Sequence, residues 1–191
     1  MHPQDEDVQL MLAVRDEDDR DAFEALVRKH QSFALLTAWR FLPNAASAQD
    51  IAQEAFLRLY RARKAYRPTA AFRTFFHRIL VNLCYSALRR NRPAVSLETP
   101  RPAEEDTLAQ SLPDTRSQAP DAFLETEELK TAVRRAVDSL PDNQRMAVIL
   151  FRFQELSYAE IAAAMRTSEK AVKSLLARAR AALKQKLTRY L

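Results

Sequence analysis

Apolar residues recur at three- and four-residue spacing along most of the chain, and no strand-length alternation or internal repeat interrupts them. This is the signature of amphipathic helices. From Asp21 to about Leu42, Phe23, Leu26, Val27, Ala34 and Phe41 fall near one face and predict a first helix. Ser47 and Asp50 make an S-x-x-D capping pair for a second. In that helix Ile51, Ala55, Leu59 and Ala62 form the inward stripe, and Asp50, Gln53, Glu54, Leu57, Arg58 and Arg61 lie on the other face. Pro68 breaks the pattern. A third helix is predicted from about Thr69 to Arg90, with Phe72, Phe76, Ile79, Leu80, Leu83 and Ala87 inward and Arg73, His77, Arg78, Asn82, Ser86 and Arg89 off the stripe.

A second helical set begins near Phe123. Leu129, Val133, Val137 and Leu140 mark its first helix, and Pro141 suits the first turn of the next, which carries Met146, Val148, Ile149 and Phe151. Ser157 and Glu160 form a capping box for a third helix, and Ser168 is the N-cap expected for a fourth. In the fourth, Val172, Leu176, Ala179, Leu183 and Leu187 point inward. Between the two sets, residues 91–122 hold Pro93, Pro100, Pro102, Pro113 and Pro120, with six acids against three arginines and few large apolar side chains. Such a segment does not bury enough surface to fold. The expected fold class is therefore all-α: two small helical domains, 1–90 and 123–191, joined by a flexible acidic, proline-rich linker over 91–122. The C-terminal one is a four-helix domain containing a helix-turn-helix.

Charge sharpens this picture. The chain has 30 Lys and Arg against 25 acids, net +5, so distribution matters more than size. Residues 1–30 are acid-rich, yet from Ala55 to Leu97 there is no carboxylate. That stretch carries Arg58, Arg61, Arg67, Arg73, Arg78, Arg89 and Arg90 among its cations. A solvated surface mixes signs, so this block points to an anionic partner. Glycine is absent altogether, where usage of about 7% would supply roughly 13. The absence excludes Gly-rich phosphate loops; it has two readings, natural bias and deliberate removal, of which removal is favoured. One cysteine, Cys84, allows no intrachain disulfide, and three scattered histidines offer no metal-ligand spacing. No apolar run approaches the about 20 residues of a membrane span, and the polar, acidic start is not a signal peptide. The expectation is a soluble cytoplasmic protein with no cofactor and no membrane insertion.

Candidate chemistry follows the cations. The run Leu156-Ser157-Tyr158-Ala159-Glu160 to Leu176 reads as two short helices around a tight turn, the second one basic. In a helix-turn-helix the second helix enters the major groove by its N-terminal half. Lys170, Lys173 and Ser174 would then face base edges, with Ser168 beside them at the helix start, and Arg166, Arg178 and Arg180 would face phosphates. The basic middle block is interleaved with Tyr60, Tyr66, Phe72, Phe75, Phe76 and Tyr85. Unpaired bases stack on aromatics while cations hold the backbone. Phe72 and Phe76 belong to the core stripe; Phe75 and Tyr66 are less committed. His30 reads as a packed or surface residue, and His77 as a phosphate contact or a solvated ring. Cys84 reads as a small core residue. No nucleophile, acid–base pair or metal cluster supports an enzyme acting on nucleic acid. A free-standing helix-turn-helix regulator is the alternative reading.

The ordered motifs resemble the extracytoplasmic-function group of bacterial RNA polymerase sigma factors, over nearly the whole chain. The residues are Asp21-Ala22-Phe23-Glu24-Ala25-Leu26; Asp50-Ile51-Ala52-Gln53-Glu54-Ala55-Phe56-Leu57-Arg58; and Phe72-Arg73-Thr74-Phe75-Phe76-His77-Arg78-Ile79 with Asn82-Leu83 and Leu88-Arg89-Arg90. Farther on come Leu140-Pro141, Arg145, Leu156-Ser157-Tyr158-Ala159-Glu160-Ile161-Ala162, Ala171-Val172-Lys173-Ser174 and Arg178-Ala179-Arg180. The resemblance implies a transcription initiation factor that binds core RNA polymerase and directs it to promoters.

By the same resemblance, Asp50, Gln53, Glu54, Leu57 and Arg58 dock on polymerase. Tyr66, Arg67, Arg73, Phe75, Arg78, Asn82, Arg89 and Arg90 meet the minus-ten element and its opened non-template strand. Arg166, Ser168, Lys170, Lys173, Ser174 and Arg178 meet the minus-thirty-five duplex. An anti-sigma factor is a common partner in this group. Some positions depart from it: Glu17, Glu155, Arg166 and Lys170 stand where glycine is frequent, Leu175 where arginine is, Phe75 where tryptophan is and Ser86 where an acid is.

Overall fold

The computed structural model describes residues 5–42, 44–69, 71–91 and 127–190. Their regular structure is helical: α1 (Glu6–Glu17), α2 (Arg20–Phe41), α3 (Ala45–Arg61), a 3-10 turn at Arg63–Ala65, α4 (Phe72–Asn91), α5 (Glu127–Asp138), α6 (Asp142–Val148) running into a π-helical segment (Ile149–Phe153), α7 (Tyr158–Met165) and α8 (Glu169–Leu187). Helices α1–α4 pack into one bundle, α5–α8 into a second, and the two bundles meet where α4 packs on α7. Apart from Asn91, the acidic linker expected over 91–122 lies outside the described residues, as does Phe123.

Helix α1 was not expected. Asp5 caps it by accepting from the Asp7 N–H at 3.1 Å, and Glu6 and Asp7 sit at the positive end of the helix dipole. Val8, Met11 and Val14 are buried at three-residue spacing. Leu10 and Leu12 also lean on the core from its flanks, which blurs the stripe in the sequence. The C-terminal end of α1 is clamped to the turn after α3. There the Asp18 carboxylate lies 2.5 Å from Arg63 Nε, and Lys64 Nζ donates to the Arg15 carbonyl at 2.6 Å.

Three expectations are corrected at helix ends. The cap of α3 is Asn44, whose side chain accepts from the Ser47 N–H at 2.7 Å, so Ser47 lies inside the first turn. Ala62, expected as the last inward position of α3, ends the helix and is half-buried. Helix α4 begins at Phe72, three residues later than expected. In the second bundle, Ser157 and Glu160 form the expected capping box, and Ser168 accepts from the Ala171 N–H at 3.1 Å as N-cap of α8.

Two of the four glycine-deviating positions carry left-handed backbone: Glu155 at φ 53° and Arg166 at φ 55°. Each costs about 1–2 kcal/mol for a residue with a Cβ. Lys170 is helical, and near Glu17 the left-handed residue is Asp18 instead.

The N-terminal core is aromatic. Phe72 and Phe76 are fully buried, stacked at 6.0 Å and bordered by Phe56 and His30. Cys84 is buried as expected, its thiol pushed up to about 12 by desolvation. His30 Nε2 lies 2.9 Å from the buried Asp7 carboxylate, which also meets Lys29 at 2.6 Å.

His77 corrects the sequence reading. It is 1% exposed, stacked on Phe33 at 4.2 Å, and neither ring nitrogen has a hydrogen-bond partner. Its ring is closed off from solvent on the side of α4 that faces α2, where Phe33 and His30 lie. Burial, with the charge of Arg73 adding, pushes its imidazole down to about 3. The unfolded chain protonates this residue near pH 6.5. Its contribution is therefore intact above about pH 6.5 and is lost as pH falls towards 3, by up to about 1.4 kcal/mol per pH unit. His77→Leu should remove about 2 kcal/mol of the stability difference between pH 6.5 and pH 5 in urea unfolding. An unchanged difference would assign the acid sensitivity to other groups.

Three arginine–aromatic stacks join the bundles. Arg134 lies 4.3 Å from the Trp39 ring, Arg40 lies 4.2 Å from Phe153, and Arg145 lies 4.6 Å from Phe41. Arg145 is only 9% exposed and has Asp142 at 3.5 Å. Desolvation at this seam holds the Arg40 guanidinium below its usual range and pushes the buried Tyr85 hydroxyl up, with the Asp142 charge adding to the latter.

Candidate nucleic-acid interface

Helix α8 presents its cations because its apolar side is fully used. Val172, Leu176 and Ala179 are buried, leaving Lys170, Lys173, Ser174 and Arg178 exposed. Arg166 and Ser168, in the turn before it, are exposed as well. The turn closes with the Arg166 and Thr167 N–H groups both directed at the Ala162 carbonyl, the latter at 2.9 Å. Its left-handed residue is what allows α7 to stop and α8 to start within three residues. Lys173 Nζ sits 5.6 Å from the centre of the Tyr158 ring, and Arg178 donates to the Ser174 hydroxyl at 3.1 Å. These contacts hold two of the donors over the outer face. All six residues predicted for the upstream element thus share one exposed surface around the α8 N-terminus.

Helix α4 carries a second set of cations, spread round more than one side of the helix. Arg73, Asn82, Arg89 and Arg90 are exposed, Phe75 and Arg78 are half-buried, and Arg67 is exposed in the loop before the helix. Arg78 leans over the Phe75 ring at 6.0 Å. Tyr66 departs from the expectation. It is 1% exposed, its hydroxyl is unpartnered, and its ring meets Phe75 edge-on at 5.2 Å. It supports Phe75 from beneath and offers no free face to a base.

The third surface is on α3. Asp50, Gln53, Leu57 and Arg58 are exposed and Glu54 is half-buried, all on the side away from Ile51, Ala55 and Leu59. Leu57 is 51% exposed, an apolar residue between charged ones. Glu54 accepts from Arg58 at 2.9 Å, with Arg61 at 3.9 Å, and the Arg58 hydrogen bond holds its carboxyl below the usual carboxylate range. Among the described residues no group of His, Cys, Asp and Glu is placed to hold a metal, and no helix is long and apolar enough to cross a membrane.

Among the described residues, a helix-turn-helix in one bundle and a cationic helix in the other make the layout of a promoter-binding factor. Comparison with known proteins agrees. Residues 26–94 match Sigma-70 region 2, and residues 130–183 match Sigma-70, region 4. The chain belongs to the sigma-70 family, in its extracytoplasmic-function group: it is a sigma factor, which directs RNA polymerase to promoters and is not an enzyme.

It is 36% identical to the RNA polymerase sigma-H factor of Pseudomonas aeruginosa over 189 residues, covering 98% of this chain and 96% of that protein. It is 34% identical to the ECF RNA polymerase sigma-E factor of Escherichia coli over 171 residues, 88% of each. Among solved structures, CnrH in complex with the cytosolic domain of CnrY superposes with a TM-score of 0.70 at 25% identity, over 96% of this chain and 98% of that one. The fold is shared too by the sigma factor RpoE of Bartonella quintana, solved with the anti-sigma factor NepR, at a TM-score of 0.61 and 20% identity, over 87% of this chain and 96% of that one.

Sequence reasoning missed the seam between the bundles. Trp39, Arg134 and Phe153 gave no periodic signal, because their partners are far away in the chain.

Proposed function

We propose that the three surfaces divide the work of initiation. The α3 face, Asp50, Gln53, Glu54, Leu57 and Arg58, docks on core polymerase. Helix α4 and the loop before it capture the opened minus-ten strand, with Phe75 as the stacking ring and Arg67, Arg73, Arg78, Asn82, Arg89 and Arg90 on the backbone and bases. Base capture costs a few kcal/mol of unstacking, which stacking and phosphate contacts offset. The exposed face at the α8 N-terminus binds the minus-thirty-five duplex. The domains run over 1–90 and 123–191, tethered by the acidic, proline-rich segment 91–122. Tethering both on one polymerase raises effective concentration and favours correctly spaced promoters. The working compartment is the cytoplasm, and an anti-sigma factor is a further partner, as for the Bartonella neighbour.

The observation that carries this reading is the exposure of all six upstream-element residues around one capped helix start. It also favours the initiation factor over a free-standing regulator, since that surface sits on the same chain as the α3 and α4 faces. Run-off transcription with purified core polymerase on a promoter library tests it: specific transcripts are expected, and none on any template would refute it. At finer grain, Lys173→Ala should weaken binding to the upstream duplex by about 1–3 kcal/mol in a sequence-dependent way. Equal losses on every sequence would make Lys173 a phosphate contact.

A further inference from the structure

An open groove of about 480 Å³ runs between the end of α3 and α4, and Arg166 of the second bundle borders it. Arg58 and Arg61 at the end of α3, Arg78 on α4 and Arg166 in the helix-turn-helix line it. Glu54 takes up part of the charge of the first two, at 2.9 and 3.9 Å. Among the described residues no ion pair involves Arg78 or Arg166. Their guanidinium groups therefore keep open donors, in the fork geometry that suits phosphate. Phe75 and Ile79 supply apolar wall, and Asn82 a donor and an acceptor. The volume is that of a small-molecule site. Arg166 reaches the cleft from a left-handed backbone that disfavours any side chain.

We propose that this cleft binds a free nucleoside polyphosphate, with its phosphates between the arginines of both bundles and its base against Phe75 and Ile79. A compact polyanion alone would leave the apolar wall unused, and an apolar ligand would leave the guanidinium groups unused. Arg166 borders the groove only while α7 packs on α4, so an occupant that uses it holds the bundles together and competes with promoter engagement. Nucleotides of an opened promoter strand share this chemistry, but they would meet the α4 wall without needing Arg166.

Calorimetric titration of the full chain, without polymerase and at about 0.15 M salt, with adenosine triphosphate, adenosine and inorganic tripolyphosphate tests the assignment. The triphosphate is expected to bind at least ~10-fold more tightly than either fragment. Arg61→Ala and Arg166→Gly should each weaken it at least ~10-fold. Glycine at 166 removes the guanidinium while easing the backbone, so a loss there does not come from misfolding. Absence of binding, tripolyphosphate binding as tightly as the nucleotide, or an Arg166→Gly variant that binds normally would each overturn the proposal. The last outcome would assign the cleft to the promoter strand.

Discussion

Asp50→Arg combined with Glu54→Arg is expected to abolish capture of core polymerase, by at least ~100-fold in a binding assay, and with it all promoter-directed transcription. Both positions lie on the outer face of α3, while the helix is anchored by the buried Ile51, Ala55, Phe56 and Leu59. Two charges change sign, a net shift of four units, on a surface whose large apolar residue is Leu57. Like charges across an interface repel, and the approach of the partner is slowed before any contact forms. The substitution also removes the carboxylate that neutralises Arg58 and Arg61, leaving an uninterrupted cationic ridge. Because the change is external, the far-ultraviolet spectrum and the urea midpoint should stay near those of the parent. Binding of isolated upstream duplex should survive too. Undiminished capture of polymerase by this variant would remove α3 as the docking face.

Phe76→Ala should cost about 3–5 kcal/mol of stability, the range for deleting a fully buried aromatic ring. The ring is completely enclosed, 4.9 Å from Phe56, 5.8 Å from His30 and 6.0 Å from Phe72. It ties α2, α3 and α4 together, and small collapse cannot fill the space between three helices. Natural domains hold only about 5–15 kcal/mol in total, so the variant should be partly unfolded at growth temperature. Phe76→Leu keeps most of the volume and should lose much less. Urea unfolding of the two variants measures both losses. Equal, small losses would place the ring in a softer environment than its burial shows.

The helices were legible in the sequence wherever one face alone is apolar. The outward order Asp50, Gln53, Glu54, Leu57, Arg58 of α3 and the capping box Ser157/Glu160 of α7 were visible as spacing, because local geometry decides them. Helix α1 was not, since Leu10 and Leu12 spread its apolar residues around the cylinder and the acids dominated the composition. His77 was misplaced for a related reason. Its position off the α4 stripe is real, but that side of the helix is covered by α2, whose Phe33 stacks on the ring. Tyr66 sits in a loop, where periodicity carries no information, and only tertiary packing put its ring under Phe75. The cations of α8 are exposed as their positions in the sequence predict, because charge on an exposed helical face survives translation from one dimension to three. The cleft that gathers Arg61, Arg78 and Arg166 could not be found, since residues a hundred positions apart share it.

Two promoter elements named for positions ten and thirty-five are separated by about 25 base pairs, or ~85 Å of duplex at 3.4 Å per pair. With α4 resting directly on α7, α4, α7 and α8 even laid end to end would span only about 70 Å, from 20, 8 and 19 residues at ~1.5 Å each, too short for the surfaces proposed to straddle them. The stacks of Arg134 on Trp39, Arg40 on Phe153 and Arg145 on Phe41 must be unfastened first. On the proposed division of surfaces, polymerase would act as a spreader: its grip on the sigma factor would have to supply the work of pulling the halves apart. The affinity seen in a mixing experiment is thus lower than that of an already opened chain, by the fraction of molecules standing open. Loosening any one of the three clasps should sharpen that grip.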